Sequence, residues 1–202
     1  MEFTVHDEYQ MEMKEIPTTR TISDVVFSSS DPDKLSVSGS MITALKAGTV
    51  TLTATVPDHK SRTVQTTCTI TIQPRTYDVT FIGFGGKTVE IQRVEEGKDA
   101  TIPDVNVPDG YRLTGWKGDC TNISEDRSVT AQYTPVIYKV TYHSDYGQPD
   151  TMKSYTIETA TFALPDISGR TGYRFAGWYD NADCNGTPIS EVVKGTVGNR
   201  EF

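Results

Sequence analysis

Apolar residues recur at every second position along much of this chain. Val50, Leu52, Ala54 and Val56 share one face of a run whose other face is threonine. Cys68, Ile70 and Ile72 repeat the alternation, as do Tyr77, Val79 and Phe81, then Val129, Ala131 and Tyr133, then Tyr138, Val140 and Tyr142. Successive side chains of a strand point to opposite faces, so each run predicts a strand with one buried face. On that reading Cys68 is an inert core thiol. The runs at Tyr77 and Tyr138 lead into GFGG and SDYG, both turn signals. No stretch carries a helical apolar stripe longer than about two turns. The expected class is therefore mainly β, with at most a helical turn in 95–100 or 188–194.

One stretch is written twice. Residues 109–120 read DGYRLTGWKGDC and residues 171–184 read TGYRFAGWYDNADC. Pro103, Gly110, Tyr111 and Trp116 recur 62 positions later as Pro165, Gly172, Tyr173 and Trp178. Such self-similarity marks an internal repeat. Gly115 and Gly177 interrupt strand-like runs, where glycine marks a bulge or a close backbone approach. A bulge at Gly115 would swing Trp116 onto the face shared by Tyr111 and Leu113. Prolines end the strands that flank each repeat, which divides the chain at 1–74, 75–135 and 136–202. The connections are short and poor in glycine, so three modules on a fairly stiff string are expected.

Charge removes several function classes. The net charge is −8 and the pI about 4.9, which leaves little to neutralise phosphates and argues against a nucleic-acid partner. No run of eighteen apolar residues is present, so no membrane insertion is expected. The first residues, MEFTVHDEYQ, carry acid where a leader would carry a basic, then apolar, stretch. If the parent protein is secreted, its signal and anchor lie outside these residues. Three cysteines cannot form a full disulfide framework.

Two families are suggested by particular motifs. In 25–72 a Ser29–Pro32 turn precedes Val37 with Gly39, an Ala44–Gly48 turn and the Thr-rich run Thr49–Val56. This segment resembles the bacterial Ig-like domain, group 2, with Phe27 where that family often has Trp. The resemblance implies a β-sandwich. The other two segments each open Tyr-x-Val-x-Phe/Tyr and reach Gly-Tyr-x-Leu/Phe-x-Gly-Trp, and the first closes Val129-x-Ala131-x-Tyr133. They resemble the Listeria–Bacteroides repeat, as in the B-repeat of internalins, which implies two small β-grasp-like domains. The second copy reaches Asn199-Arg200-Glu201-Phe202 where its closing strand should be starting, so that strand is expected to be truncated.

Candidate chemistry is sparse. Trp116 and Trp178, with nearby tyrosines, would suit either a sugar-stacking platform or a module core; the repeated spacing with the same neighbours favours the core. Asn181, Asp183, Asn185 and Gly186 match half of a calcium loop, but Val192 stands where the bidentate acid belongs and Glu191 is one residue early. A polar turn is the expected structure there, and likewise for Asp31 and Asp33 around Pro32. Cys120 and Cys184 occupy related loops and would pair only if those loops met within about 7 Å. His6, His59 and His143 share no spacing and read as surface residues, so neither a zinc site nor a Cys–His pair is expected. Glu95 and Glu96 precede a Gly-Lys turn and read as solvated. Gly83–Lys87 lacks P-loop spacing.

These observations give no catalytic, cofactor-binding or metal residues, and leave the ligand-binding residues open. Taken with the resemblances, they imply a non-catalytic fragment of an extracellular bacterial surface or secreted protein. It would serve as a stalk or adhesive surface towards a host or cell-surface protein or glycan. The alternative is a carbohydrate-binding or spacer region of a larger secreted enzyme. An exposed coplanar row of aromatic rings would favour that alternative, and buried tryptophans the scaffold.

Overall fold

The computed structural model describes residues 2–11, 25–57, 63–144, 153–167 and 171–202. His59 and positions 145–147 of the expected SDYG turn lie outside them. The chain gathers into two compact units: residues 1–79 with 92–100 and 121–126, and residues 80–91 with 101–120 and 127–202. Regular structure among the described residues is β, apart from one 3-10 turn at Phe84–Gly86.

The N-terminal segment forms β1 (Glu2–Thr4), β2 (Glu8–Gln10), β3 (Val26–Ser29), β4 (Leu35–Ser38), β5 (Met41–Ala44), β6 (Gly48–Pro57) and β7 (Thr63–Gln73). They make two sheets, ordered β1-β7-β6-β3 and β2-β5-β4. The alternation in β6 and β7 turns Val50, Leu52, Ile70 and Ile72 inward, where they meet Leu35, Ile42 and Ala44 of the other sheet. This is the sandwich that the period of two requires. The Asp31–Asp33 turn is closed by its own polar groups. Ser29 Oγ accepts the Asp31 amide at 3.2 Å, and Lys34 Nζ donates to Asp31 Oδ2 at 2.7 Å. The Lys34 hydrogen bond is the first cause holding the Asp31 carboxyl below its ordinary range.

Cys68 corrects the expectation of a core thiol: it is exposed, with all of 63–69. The alternation there is genuine, but β1 pairs with β7 only over Thr71–Gln73. An apolar face stays dry only where another layer covers it, and the cover here begins at Ile70.

Residues 76–135 form β8 (Thr76–Ile82), β9 (Thr88–Glu95), β10 (Tyr111–Lys117) and β11 (Arg127–Pro135), ordered β10-β11-β8-β9. First and last strands lie side by side at the centre, the order of a β-grasp. The crossover over 96–110 is an irregular chain, without the helix of that fold. Backbone hydrogen bonds tie it down: Gly97 N–H to Ile123 O at 2.7 Å and Ile123 N–H to Lys98 O at 2.8 Å. Val79, Phe81, Ile123 and Val129 are fully buried. The expected bulge is present, with the β10–β11 register shifting between Leu113 and Gly115 and Gly115 at φ 150. Leu113, expected to share the buried face, is 38% exposed. The expected helical turn in 95–100 is only a tight turn at 96–97.

The last segment forms β12 (Tyr138–Thr141), β13 (Lys153–Tyr155), β14 (Phe162–Ala163), β15 (Glu191–Val192) and β16 (Arg200–Glu201). Their sheets are β13-β12-β16 and β14-β15, with β12 and β16 parallel. No helical turn forms in 188–194; Ile189 bridges Trp178 and β15 follows. The two repeats register on each other through a shared cap. Asp126 Oδ1 accepts the Asp78 amide at 2.8 Å, and Asn199 Oδ1 accepts the Lys139 amide at 3.0 Å. Val129 of β11 therefore corresponds to Phe202. Residues 173–177, at the place of β10 in the first repeat, are not a strand.

Burial predicts unequal costs of truncation. Phe81→Ala should lower the unfolding free energy of the 76–135 sheet by about 3–5 kcal/mol, whereas Leu113→Ala should cost no more than about 1 kcal/mol. Urea titrations followed by far-UV circular dichroism check both.

Candidate functional site

The repeated aromatic motif is the natural place to look for a site, and its two copies are packed differently. Trp178 is 5% exposed. Its ring lies 4.8 Å from Tyr142 and 5.3 Å from Phe175, and its Nε1 donates to Pro165 O at 2.7 Å. It thus fills a core with Val140, Tyr155, Leu164, Val192 and Phe202, its one polar atom satisfied. Trp116 is half-buried and meets Phe81 edge-on at 5.6 Å and 88°. Neither indole lies flat on the surface as a platform. Phe84, 40% exposed, packs at 57° to Tyr111 and 84° to Tyr133. These rings are not coplanar, whereas a sugar-stacking row presents aligned faces.

The half-motif for calcium is a closed turn. Asn181 spends its amide on the backbone of Asn185, donating to its O at 2.9 Å and accepting from its N–H at 3.0 Å. Cys184 sits at φ 50 within the same turn. Cys120 and Cys184, like Cys68, are free thiols. Among the described residues, no group of three His, Cys, Asp or Glu side chains is gathered as a metal site would need. His143 lies 3.6 Å from Glu201, both side chains well exposed.

What the structure does bring together are the two module junctions. At the first, His6 Nε2 lies 3.4 Å from Glu96 Oε2, and the Glu96 amide donates to Arg75 O at 2.9 Å. The Arg75 guanidinium is held above its ordinary range by the Tyr77 hydroxyl first, with Glu96 and Asp7 adding to it. Glu96 is therefore a junction residue and not simply solvated, as its place beside a Gly-Lys turn implies. At the second junction Tyr111 Oη donates to Glu158 Oε1 at 2.7 Å. Beside it Gly110, at φ 79, is buried; a Cβ there would lie 2.7 Å from Ile157 Cδ1 and 2.9 Å from its Cβ. The absent side chain is the space that Ile157 occupies. Sequence reasoning passed over Ile157 and Glu158. A signal was available: the turn after the second strand of each repeat carries a glutamate, Glu96 in one and Glu158 in the other.

The junction has a pH signature. The bond to Glu158, ahead of burial, raises the Tyr111 phenol above its ordinary value of 10.0. A folded-state value above the unfolded one favours the protonated phenol. Its contribution is fully present below the unfolded value and is lost as pH rises through the folded one. In Glu158→Gln, Tyr111 should therefore ionise at lower pH, read by NMR of ring-labelled tyrosine. Acrylamide should quench Trp116 fluorescence more readily than that of Trp178, with Trp116→Phe and Trp178→Phe separating the two signals.

Comparison with family models agrees with this architecture. Residues 3–70 match the bacterial Ig-like domain (group 2). Residues 77–135 and 138–199 each match the Listeria-Bacteroides repeat domain. No curated protein matches the chain. Both families are of non-catalytic modules. With the repeat model matching well over half of its length, the chain belongs to the Listeria-Bacteroides repeat domain family, carrying two such repeats behind an Ig-like domain of group 2.

Proposed function

We propose that the chain is a stalk and adhesion segment of a bacterial cell-surface or secreted protein, built as three modules with boundaries at 1–74, 75–135 and 136–202. The observation that carries this reading is the pair of junctions. Each repeat meets the module before it through a side chain of the same turn, Glu96 on His6 and Glu158 on Tyr111. Short connections and direct contacts limit hinge motion, which suits a spacer better than a pair of independent binding heads. Both family models describe modules typical of extracellular and surface proteins, and no helix among the described residues is long and apolar enough to cross a membrane.

Adhesion in this reading uses a sheet edge. β9 ends its sheet and presents Val89 and Ile91, 40% and 59% exposed. An extended segment of a host or surface protein can add to such an edge through its backbone, with alternate side chains in contact. The buried Trp178 and the non-coplanar rings around Phe84 weigh against a glycan-stacking role.

A stalk should scatter as an elongated monomer. Small-angle X-ray scattering of the full chain is expected to give a radius of gyration well above about 17 Å, the value for a compact domain of this length. A value near 17 Å would remove the stalk reading.

A further inference from the structure

The turn that follows Trp178 carries a pair of residues with chemistry of its own. Of the five asparagines in the sequence, only Asn185 is followed by glycine, Gly186. Residues 180–188 are all exposed. Asn181 holds the backbone of Asn185 on both sides, accepting its N–H at 3.0 Å and donating to its O at 2.9 Å. Both bonds are to the Asn185 backbone and leave its own carboxamide out of the turn's bonding. Gly186 has φ 101, and a Cβ built on it would meet no atom within 4 Å. A carboxamide carbon and the next residue's amide nitrogen can close a five-membered ring when no side chain hinders their approach, and glycine supplies that freedom.

We propose that Asn185–Gly186 is a self-modifying site, at which the chain converts its own asparagine to aspartyl and isoaspartyl residues with water as the only co-reactant. The Gly186 nitrogen loses its proton to hydroxide and attacks Asn185 Cγ. A C–N bond forms, the Cγ–Nδ2 bond breaks, and Nδ2 leaves as ammonia, taking its extra proton from water. One water then opens the succinimide, and no atom is oxidised or reduced. Opening at the side-chain carbonyl gives the aspartyl residue. Opening at the main-chain carbonyl leaves the chain running through Cβ and Cγ, the isoaspartyl link.

Asn181 sets the rate as a positioning residue. Ring closure requires the peptide unit between 185 and 186 to rotate towards the side chain, and the bond from Asn181 Nδ2 to Asn185 O holds that unit. The clamp slows the reaction in the folded protein, and its opening admits it. Conversion turns a neutral amide into a carboxylate, taking the net charge from −8 to −9. The isoaspartyl form also inserts a carbon between the two backbone groups that Asn181 holds, so the turn cannot close as before. The Ile189 amide, bonded to Trp178 O at 2.8 Å, stands between this turn and the core. The inference is independent of the stalk and adhesion readings.

The full chain aged at mildly alkaline pH in heavy-oxygen water, then digested with trypsin in ordinary water, tests it. Only conversion during ageing carries the label, and electron-transfer fragmentation of peptide 175–194 separates the two products. Labelled aspartyl and isoaspartyl forms are expected at 185, ahead of any conversion at Asn181 in the same peptide. Asn181→Ala should speed conversion at 185 about tenfold, with tryptophan fluorescence reporting an unchanged core. In urea the two chains should convert at one rate, because the clamp belongs to the fold. Conversion at 185 no faster than at Asn181, an aspartyl product without the isoaspartyl one, or a folded Asn181→Ala chain no faster than its parent would overturn the proposal.

Discussion

A short twisted sheet has two faces and, in a module of about sixty residues, too little chain to cover both. That shortage governs the rest of this structure. The N-terminal segment solves it by laying two sheets together, Leu35 and Ile42 against Ile70 and Ile72. Among the described residues the repeats have no α-helix to lay across the sheet. In the first, Ala100 and Ile123, in loops held by backbone hydrogen bonds, are buried alongside Val79, Phe81 and Val129. In the second, rings carry the cover, with Trp178 wedged among Tyr142, Phe175 and Phe202. One large aromatic buries roughly 150–250 Å², which in so small a core replaces several aliphatic residues.

Modules with so little interior make use of their neighbours. Gly110 is covered by Ile157 of the following repeat, and Glu96 of the first repeat reaches His6 of the sandwich. Polar junction contacts of this exposed kind are each weak in energy, but they are directional. They fix which surfaces meet. The Ile157–Gly110 approach adds steric definition, because any side chain larger than hydrogen at 110 would have to displace a β-branched residue. Specificity at the joint therefore comes from shape, with the Tyr111–Glu158 bond setting orientation.

Such an architecture accords with the lack of a gathered His, Cys, Asp or Glu cluster among the described residues. Several ionisable residues lie at turns and edges, where they close loops or bridge junctions. Asp31, Asp126 and Asn199 all spend side-chain oxygens on backbone amides. Polar groups occupied in this way stabilise turns and caps, and none of them is held in a buried cleft among the described residues.

How much of this was legible in the sequence follows from what periodicity encodes. Alternation identified β6, β7, β8, β11 and β12, the doubled Gly-Tyr-Arg-x-x-Gly-Trp identified the repeats, and Gly115 identified the bulge, because each reflects local backbone geometry. Alternation marks which face is apolar but not whether another layer reaches it. Cys68 and Leu113 therefore read as core and lie exposed, while Trp116 is only half covered and its partner in the repeat, Trp178, is buried. The pairing of Glu96 with His6 and of Glu158 with Tyr111 joins residues far apart in the chain, and the recurrence of a glutamate in the same turn of each repeat marks the position but not the partner. Local order was set by the sequence through side-chain spacing and turn chemistry; burial and junction contacts were decided only when separate layers packed, since covering a face requires a partner that the strand itself does not contain.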